Sequence, residues 1–185
     1  MPPHLAKQGR LCLPQLRGGQ RPTKQSLYNQ SLPKKSAGIL VYRFHDGTLQ
    51  VFLVHPGGPF WARKDAGAWS IPKGEFIDED PLSAARREFL EETGMQVDGE
   101  FIPLATVTQK NGKAVNAWAV EADIDPEKVR SNTFEMEWPP RSGKKQEFPE
   151  VDKAGWFSVE EGMEKINPAQ AGLIRELKEL LSRRK

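Results

Sequence analysis

The sequence is poor in three features that would place the protein in particular classes. Its 185 residues include a single cysteine, Cys12, so no internal disulfide can form and the fold does not depend on oxidation. No apolar run approaches the roughly 20 residues that a membrane-spanning helix needs, so no integral membrane segment is expected. Asp and Glu are absent from the first 36 positions. Together these absences favour the cytosol.

The positive charge of the chain is concentrated at its beginning. The first 36 residues hold seven of the 27 basic residues: Lys7, Arg10, Arg17, Arg21, Lys24, Lys34 and Lys35. The remaining 20 basic residues face 25 acidic ones, which gives residues 37–185 a net charge of −5. Such a domain is unsuited to coating nucleic acid, so nucleic acid is not the expected partner. The oligomeric state is left open.

Residues 1–35 are predicted to be a disordered basic tail. Five prolines and Gly9, Gly18 and Gly19 interrupt any helical or strand periodicity. An acid-free leader that contains arginine is also typical of a transit peptide, and this targeting role is the second interpretation. Residues 36–185 are predicted to form the folded domain.

Strand and helix signals alternate in residues 36–185, which predicts a mixed α/β domain. Helices are expected after Asp80-Pro81, where an N-cap residue precedes a proline, after Ser158, which forms a capping box with Glu161, and from Asn167-Pro168. A turn is expected at Asn111-Gly112 and a loop at 139–145. Strands are expected at 37–43, 49–54, 68–71, 101–109, 114–122 and around 156–157.

Three glutamates on the predicted central helix carry the chemical signal. Glu88, Glu91 and Glu92 have relative positions zero, three and four, which puts their carboxylates on one helical face. Like charges repel, so stability alone does not explain this cluster. Clustered oxygen ligands suit Mg²⁺, with Mn²⁺ as the alternative, and such ions bridge to substrate phosphates.

The segment around these glutamates resembles the Nudix box. Glu79, seven residues, Arg87-Glu88-Phe89, one residue, Glu91-Glu92, one residue and Gly94-Met95 match its second part in full. The first part departs from the pattern, because four residues instead of five separate Gly74 from Glu79. The motifs HPGGPFW at 55–61 and FPEVDKAGWF at 148–157 are most similar to a bacterial branch of predicted nucleotide pyrophosphohydrolases, and the chain resembles dinucleoside-polyphosphate hydrolases more loosely.

This resemblance implies a Nudix-type α/β/α sandwich with a mixed sheet and a set of site residues. Glu88, Glu91 and Glu92 would be metal ligands, and Glu91 and Glu92 catalytic through that metal. Arg87 would orient the carboxylates, with Glu79 reaching the site through Arg87. A further carboxylate outside the box would be a ligand or the general base. Glu150 is the choice for it, and Glu147 is the reserve.

The substrate contacts implied are those of a nucleotide. Lys73 and Arg141 would meet phosphates, with Lys144 and Lys145 near Arg141. Trp61 would stack on a base, and Phe60 and Trp138 are further aromatic candidates.

The expected activity is metal-dependent hydrolysis of a phosphoanhydride bond in a nucleoside diphosphate linked to another moiety, either a nucleoside triphosphate or a dinucleoside polyphosphate. Two alternatives stay open. One is a Nudix module that binds a nucleotide without cutting it, and the other is an enzyme that removes pyrophosphate from an RNA 5′ end.

Overall fold

The strand β1 (Lys35–His45) lies in the middle of the main sheet and is buried from Ser36 to Tyr42. The computed structural model describes residues 35–110 and 112–184, all of which belong to one compact unit. The predicted tail, except its last residue, and the first residue of the predicted Asn111-Gly112 turn lie outside the described residues. The apolar run from Ala37 to Val41 makes β1 a strand that is covered on both faces.

The main sheet is mixed, as predicted. Besides β1, its strands are β2 (Thr48–Pro56), β3 (Lys73–Phe76), β4 (Ile102–Thr108), β5 (Ala114–Glu121) and β8 (Val151–Ser158). Antiparallel β2 follows β1 through a two-residue turn at Asp46 and Gly47, both with positive φ. β5 pairs with β1 in parallel, and β3 pairs antiparallel with the beginning of β1. The strand order is β4-β5-β1-β2-β8, with β3 beside β1.

Helices cover both faces of this sheet and make the expected α/β/α sandwich. Helix α1 (Pro81–Thr93) packs Ala84, Ala85 and Phe89 against one face. Helices α2 (Val159–Lys165) and α3 (Ala171–Arg183) cover the other face, and α3 contributes Leu173, Ile174 and Leu177 to the second core. The apolar stripe on α3 and the capping box of Ser158 and Glu161 agree with the sequence pattern.

A separate two-stranded hairpin, formed by β6 (Thr133–Glu137) and β7 (Lys145–Pro149), interrupts the chain before β8. It follows a short 3₁₀ helix, Pro126–Lys128. The sequence pattern predicted only the loop at 139–145, because each strand of the hairpin is short and mostly exposed.

Two predicted boundaries are wrong. Residues 68–71 make only isolated bridges, Val54 with Ser70 and Trp69 with Ile166, and the strand instead begins at Lys73. The last helix begins at Ala171, because Asn167 accepts a hydrogen bond from the Ala169 N–H and so forms a turn instead of a helix cap. Within the described residues, no helix is both long and apolar enough to cross a bilayer.

Candidate active site

Helix α1 presents the three box glutamates beside the start of β3. Asp80 caps the helix by accepting the Ser83 N–H at 2.9 Å, as the sequence predicted. Gly94 ends it with a φ of 72°, donating to the Leu90 carbonyl. Because α1 is fixed at both ends and packed through Phe89, the glutamates are held on a rigid element.

Arg87 is the centre of an ion-pair network on this helix. Its Nη2 lies 3.1 Å from Glu79, and its Nη1 lies 2.7 Å from Glu88 and 3.2 Å from the nearer oxygen of Glu91. The hydrogen bonds that the Arg87 guanidinium donates to Glu79 and then Glu88 raise its pKa. The contact between Glu79 and Arg87 is the one that the spacing of the motif predicted.

Gly74 has no side chain for a specific steric reason. A Cβ at this position would lie 1.7 Å from Glu88 Oε2, so the carboxylate of Glu88 rests directly on the backbone of β3. No residue other than glycine allows this approach. The shorter spacing between Gly74 and Glu79 therefore leaves Gly74 in contact with the box.

Glu92 is a largely buried carboxylate of the box. Its Oε2 accepts the backbone N–H of Lys73 at 3.0 Å. Burial raises the pKa of Glu92 to about 7, against the charge and the N–H of Lys73, which lower it. Repulsion from Glu150 and Glu88 adds to the rise. Glu92 therefore keeps its proton until the pH approaches neutrality, whereas a bound cation would favour the ionised carboxylate.

Glu150 lies at the junction of β7 and β8, within electrostatic range of Glu88 and Glu91 of the box. Burial raises its pKa, and the charges of Glu88 and Glu91 add to this effect. Its backbone is fixed, because the Glu150 N–H donates to Asn132 O and its carbonyl accepts from Gly57 N–H, each at 2.9 Å. The structure therefore brings Glu150 together with the box glutamates.

The reserve carboxylate, Glu147, belongs to a different environment. It is an exposed side chain of β7 that accepts a hydrogen bond from the Thr133 hydroxyl across the hairpin.

The donor set at the box fits a divalent cation in chemistry. It consists of hard carboxylate oxygens opposed by the Arg87 guanidinium and the charge of Lys73, and burial disfavours the charge of Glu92. No three Asp, Glu, His or Cys side chains in the described parts of the chain already form a metal-ligand group. Glu88 and Glu91 are bonded to Arg87, so a cation has to compete with these bonds.

The predicted substrate residues are divided between two neighbouring segments. Trp61 is 37% exposed in loop 57–64, and the Lys64 ammonium lies 4.4 Å from its ring centre. Phe60 meets Trp138 of the β6–β7 hairpin edge to face, with ring centres 5.4 Å apart. Loop 57–64 and this hairpin therefore form one aromatic surface.

The predicted cations differ in their distance from the box. Lys73 is next to Gly74, and its charge acts on Glu92. Arg141 lies at the exposed turn of the β6–β7 hairpin with a φ of 65°. Among the described residues, no hydrogen bond or ion pair joins this turn to the box glutamates.

Two cavities of about 250 and 240 Å³ lie on the molecule, and neither is lined by a box glutamate. The larger lies between the β1–β2 turn and helices α2 and α3, and the smaller is lined by Arg86, Arg87 and Leu90 on α1 with Gln96 and Val97. The chemistry of the side chains, and not the depth of a cavity, thus identifies the site.

Sequence reasoning assigned no role to His55, since no other histidine has a metal-ligand spacing from it. In the structure His55 is 1% exposed and both ring nitrogens have partners, Asp152 and the Lys64 carbonyl. No local motif announces this contact, because Asp152 is 97 residues away in sequence.

Comparison with known proteins identifies the family. The model of the NUDIX domain matches residues 32–177, so the chain belongs to the NUDIX family. A search of curated proteins gives no match. The family assignment, with every box carboxylate present, makes the protein a Nudix-type pyrophosphohydrolase, a class that acts on acid anhydrides and generally uses divalent metal ions.

Solved structures share the fold at low sequence identity. A C. elegans Ap4A hydrolase binary complex is 20% identical, with 80% of this chain and 98% of that chain covered and a TM-score of 0.57. The NUDIX domain of Shewanella oneidensis NrtR, complexed with ADP ribose, is 17% identical, with 86% and 99% covered and a TM-score of 0.56. A mutT/nudix family protein from Listeria innocua is 17% identical, with 83% and 97% covered and a TM-score of 0.55.

Proposed function

We propose that the protein is a Mg²⁺-dependent hydrolase of a phosphoanhydride bond in a nucleoside diphosphate linked to another moiety, with nucleoside triphosphates and dinucleoside polyphosphates as the first substrates. Mn²⁺ is the alternative ion. The observation that carries this proposal is the convergence of Glu88, Glu92 and Glu150, whose charges act on one another beside Gly74.

In this proposal Glu88, Glu91 and Glu92 hold the divalent cation. A bound cation neutralises charge on the phosphate oxygens and lowers the pKa of water. Arg87 orients Glu88 and Glu91 through its two ion pairs and is itself held by Glu79. Gly74 lets the backbone of β3 lie against Glu88, which fixes where that carboxylate points.

Glu150 is the proposed general base. A base works best when its pKa approaches the working pH, and burial together with Glu88 and Glu91 moves the pKa of Glu150 in that direction. A role as a further metal ligand is the other possibility for the same side chain. Glu147, with its bond to Thr133, is the control position.

The substrate's charged and aromatic parts have separate partners in this proposal. Lys73, beside the box, meets a phosphate, and Arg141 on the hairpin turn guides the phosphate chain. Trp61 offers the exposed face of its ring to a base, since Lys64 covers the other face.

A substrate panel tests this proposal. Wild-type protein and the Glu91→Gln variant are incubated with Mg²⁺ and ATP, diadenosine tetraphosphate, ADP-ribose or 5′-triphosphorylated RNA, and the products are identified. ADP-ribose is included because a solved NUDIX domain with the same fold binds it. Hydrolysis of ATP or the dinucleotide by wild type alone supports the proposal. Binding without turnover would favour a non-catalytic nucleotide module, and preferential release of pyrophosphate from RNA would favour the RNA-processing alternative.

A further inference from the structure

His55 near the end of β2 has a hydrogen-bonding environment that the proposed reaction does not use. Its Nδ1 lies 2.7 Å from Asp152 Oδ1, and its Nε2 lies 2.8 Å from the backbone carbonyl of Lys64. The ring of Trp69 lies edge-on with its centre 5.2 Å away. Because His55 is 1% exposed, water does not substitute for either partner.

Both polar partners of His55 are oxygen atoms on other segments of the chain. The Lys64 carbonyl can only accept, so Nε2 donates the proton of this bond. Nδ1 makes the second hydrogen bond, with the Asp152 carboxylate. The ring therefore bridges the end of loop 57–64 and the start of β8.

These two bonds fasten the end of loop 57–64. The loop begins at Gly57, whose N–H donates to the Glu150 carbonyl at 2.9 Å and whose position leaves no space for a Cβ next to Pro149 O. The loop ends at Lys64, whose carbonyl is held by His55. Between them, Gly58 accepts from the N–H groups of Trp61 and Ala62 and closes a tight turn.

Both ends of the loop are thus fastened to one short segment of chain. Glu150 holds the beginning and Asp152, through His55, holds the end, with only Val151 between them. This segment consists of Glu150, which connects the hairpin to β8, and the first two residues of β8. The loop that carries Trp61 is therefore fixed relative to the proposed base.

We propose that His55 is a positioning residue that, with Asp152, clamps loop 57–64 so that Trp61 is held in a fixed place relative to Glu150. This inference rests on the proposed function, since it takes Trp61 as a substrate contact. Loss of the clamp frees the end of the loop at Lys64, while the box on α1 keeps all its contacts. Substrate binding then suffers more than the chemical step.

The acidic groups near the His55 ring all have identified partners. Asp152 on β8 is bonded to it, and Asp65, the residue after Lys64, bonds instead to Trp69 Nε1 and to Lys165. Asp65 therefore completes the support around the ring without competing for either of its nitrogens.

Three variants test the clamp. His55→Phe keeps a planar ring and removes both donors. Asp152→Asn keeps a hydrogen bond, because the Asn amide donates to the Nδ1 of a neutral imidazole while Nε2 still donates to Lys64 O. His45→Phe, at an exposed histidine of β1, is the matched control.

The first measurement is hydrogen exchange at backbone amides, which needs no substrate. We expect faster exchange in peptides covering 57–64 for His55→Phe, with unchanged exchange in α1, and wild-type rates for the other two variants. Uniformly faster exchange in His55→Phe, or wild-type exchange in the peptides covering 57–64 of this variant, would overturn the clamp.

The second measurement is kinetic, on the panel substrate that wild type hydrolyses fastest. His55→Phe should raise KM about tenfold with kcat changed less than about threefold, and Asp152→Asn should restore KM to near the wild-type value. A lower melting temperature with unchanged KM would show that His55 is only a structural residue. If wild type hydrolyses nothing in the panel, the proposed function fails, and the exchange results still decide whether the clamp exists.

Discussion

Replacing Glu92 by glutamine should weaken the reaction and strengthen the metal-free fold at the same time. The carboxylate is nearly buried, and the backbone N–H of Lys73 is its hydrogen-bond donor. Glutamine keeps the volume and the accepting oxygen but removes the charge. Loss of charge lowers the stability of the fold if the carboxylate belongs to a structural ion pair, and raises it if the carboxylate is a metal ligand without its metal. The direction of the stability change therefore distinguishes the two roles.

The magnitude follows from the pKa of Glu92, which burial raises from 4.5 to about 7. Between these two values the folded protein retains a proton that the unfolded chain has released, so the stability of wild type falls as pH rises through this window. At 1.36 kcal/mol per pKa unit the full loss is about 3 kcal/mol, reached above pH 7. Glu92→Gln lacks this titration. The variant should therefore match wild type near pH 4.5 and exceed its stability by up to that amount at pH 8.

The assay is denaturant unfolding in EDTA at pH 4.5, 6 and 8, with Glu179→Gln, an exposed position on α3, as the control. Turnover with Mg²⁺ at pH 8 should fall at least ~100-fold, roughly 2.7 kcal/mol of barrier, since a neutral ligand holds the cation less well. A variant that is less stable than wild type at pH 8 would refute the proposal that Glu92 is a metal ligand whose buried charge destabilises the metal-free fold.

Three further substitutions test the other site residues. Glu150→Gln should lower turnover at least ~10-fold. Isothermal titration with Mg²⁺ then shows its role, because loss of a base leaves metal affinity intact and loss of a ligand lowers it. Glu147→Gln should lower turnover much less, and the reverse order would assign the downstream carboxylate to Glu147. Gly74→Ala should lower both Mg²⁺ affinity and turnover, because the added Cβ overlaps the Glu88 carboxylate, and wild-type affinity in this variant would show that Glu88 does not bind the metal where the structure has it.

The sequence predicted the parts of the fold that local rules determine. Apolar runs defined β1 and β2, and the caps at Asp80 and Gly94 defined α1. The β6–β7 hairpin was missed because its strands are five residues long and bury little, so alternation at Phe134 and Met136 was the only signal. Asn167-Pro168 misled because a proline suits both a first helical turn and a tight turn.

The candidate site divides in the same way. The spacing of Arg87 and Glu91 on one helix, with Glu79 just before it, predicted their contacts, since helical geometry relates residues that are close in sequence. Glycine is needed at position 74 because β3 lies against α1 in the folded protein. The partners of His55 likewise depend on the tertiary approach of β2 to β8. No pattern within a single segment contains that information.

The central claim, that the box carboxylates hold a divalent cation needed for hydrolysis, is tested most directly by removing and restoring the metal. Turnover of the best panel substrate is measured after dialysis against EDTA and after addition of excess Mg²⁺, with circular dichroism recorded on each sample. The account predicts that hydrolysis stops in EDTA while the spectrum is unchanged, because α1 is held by its caps and by Phe89, and that Mg²⁺ restores activity. Undiminished hydrolysis in excess EDTA would contradict it.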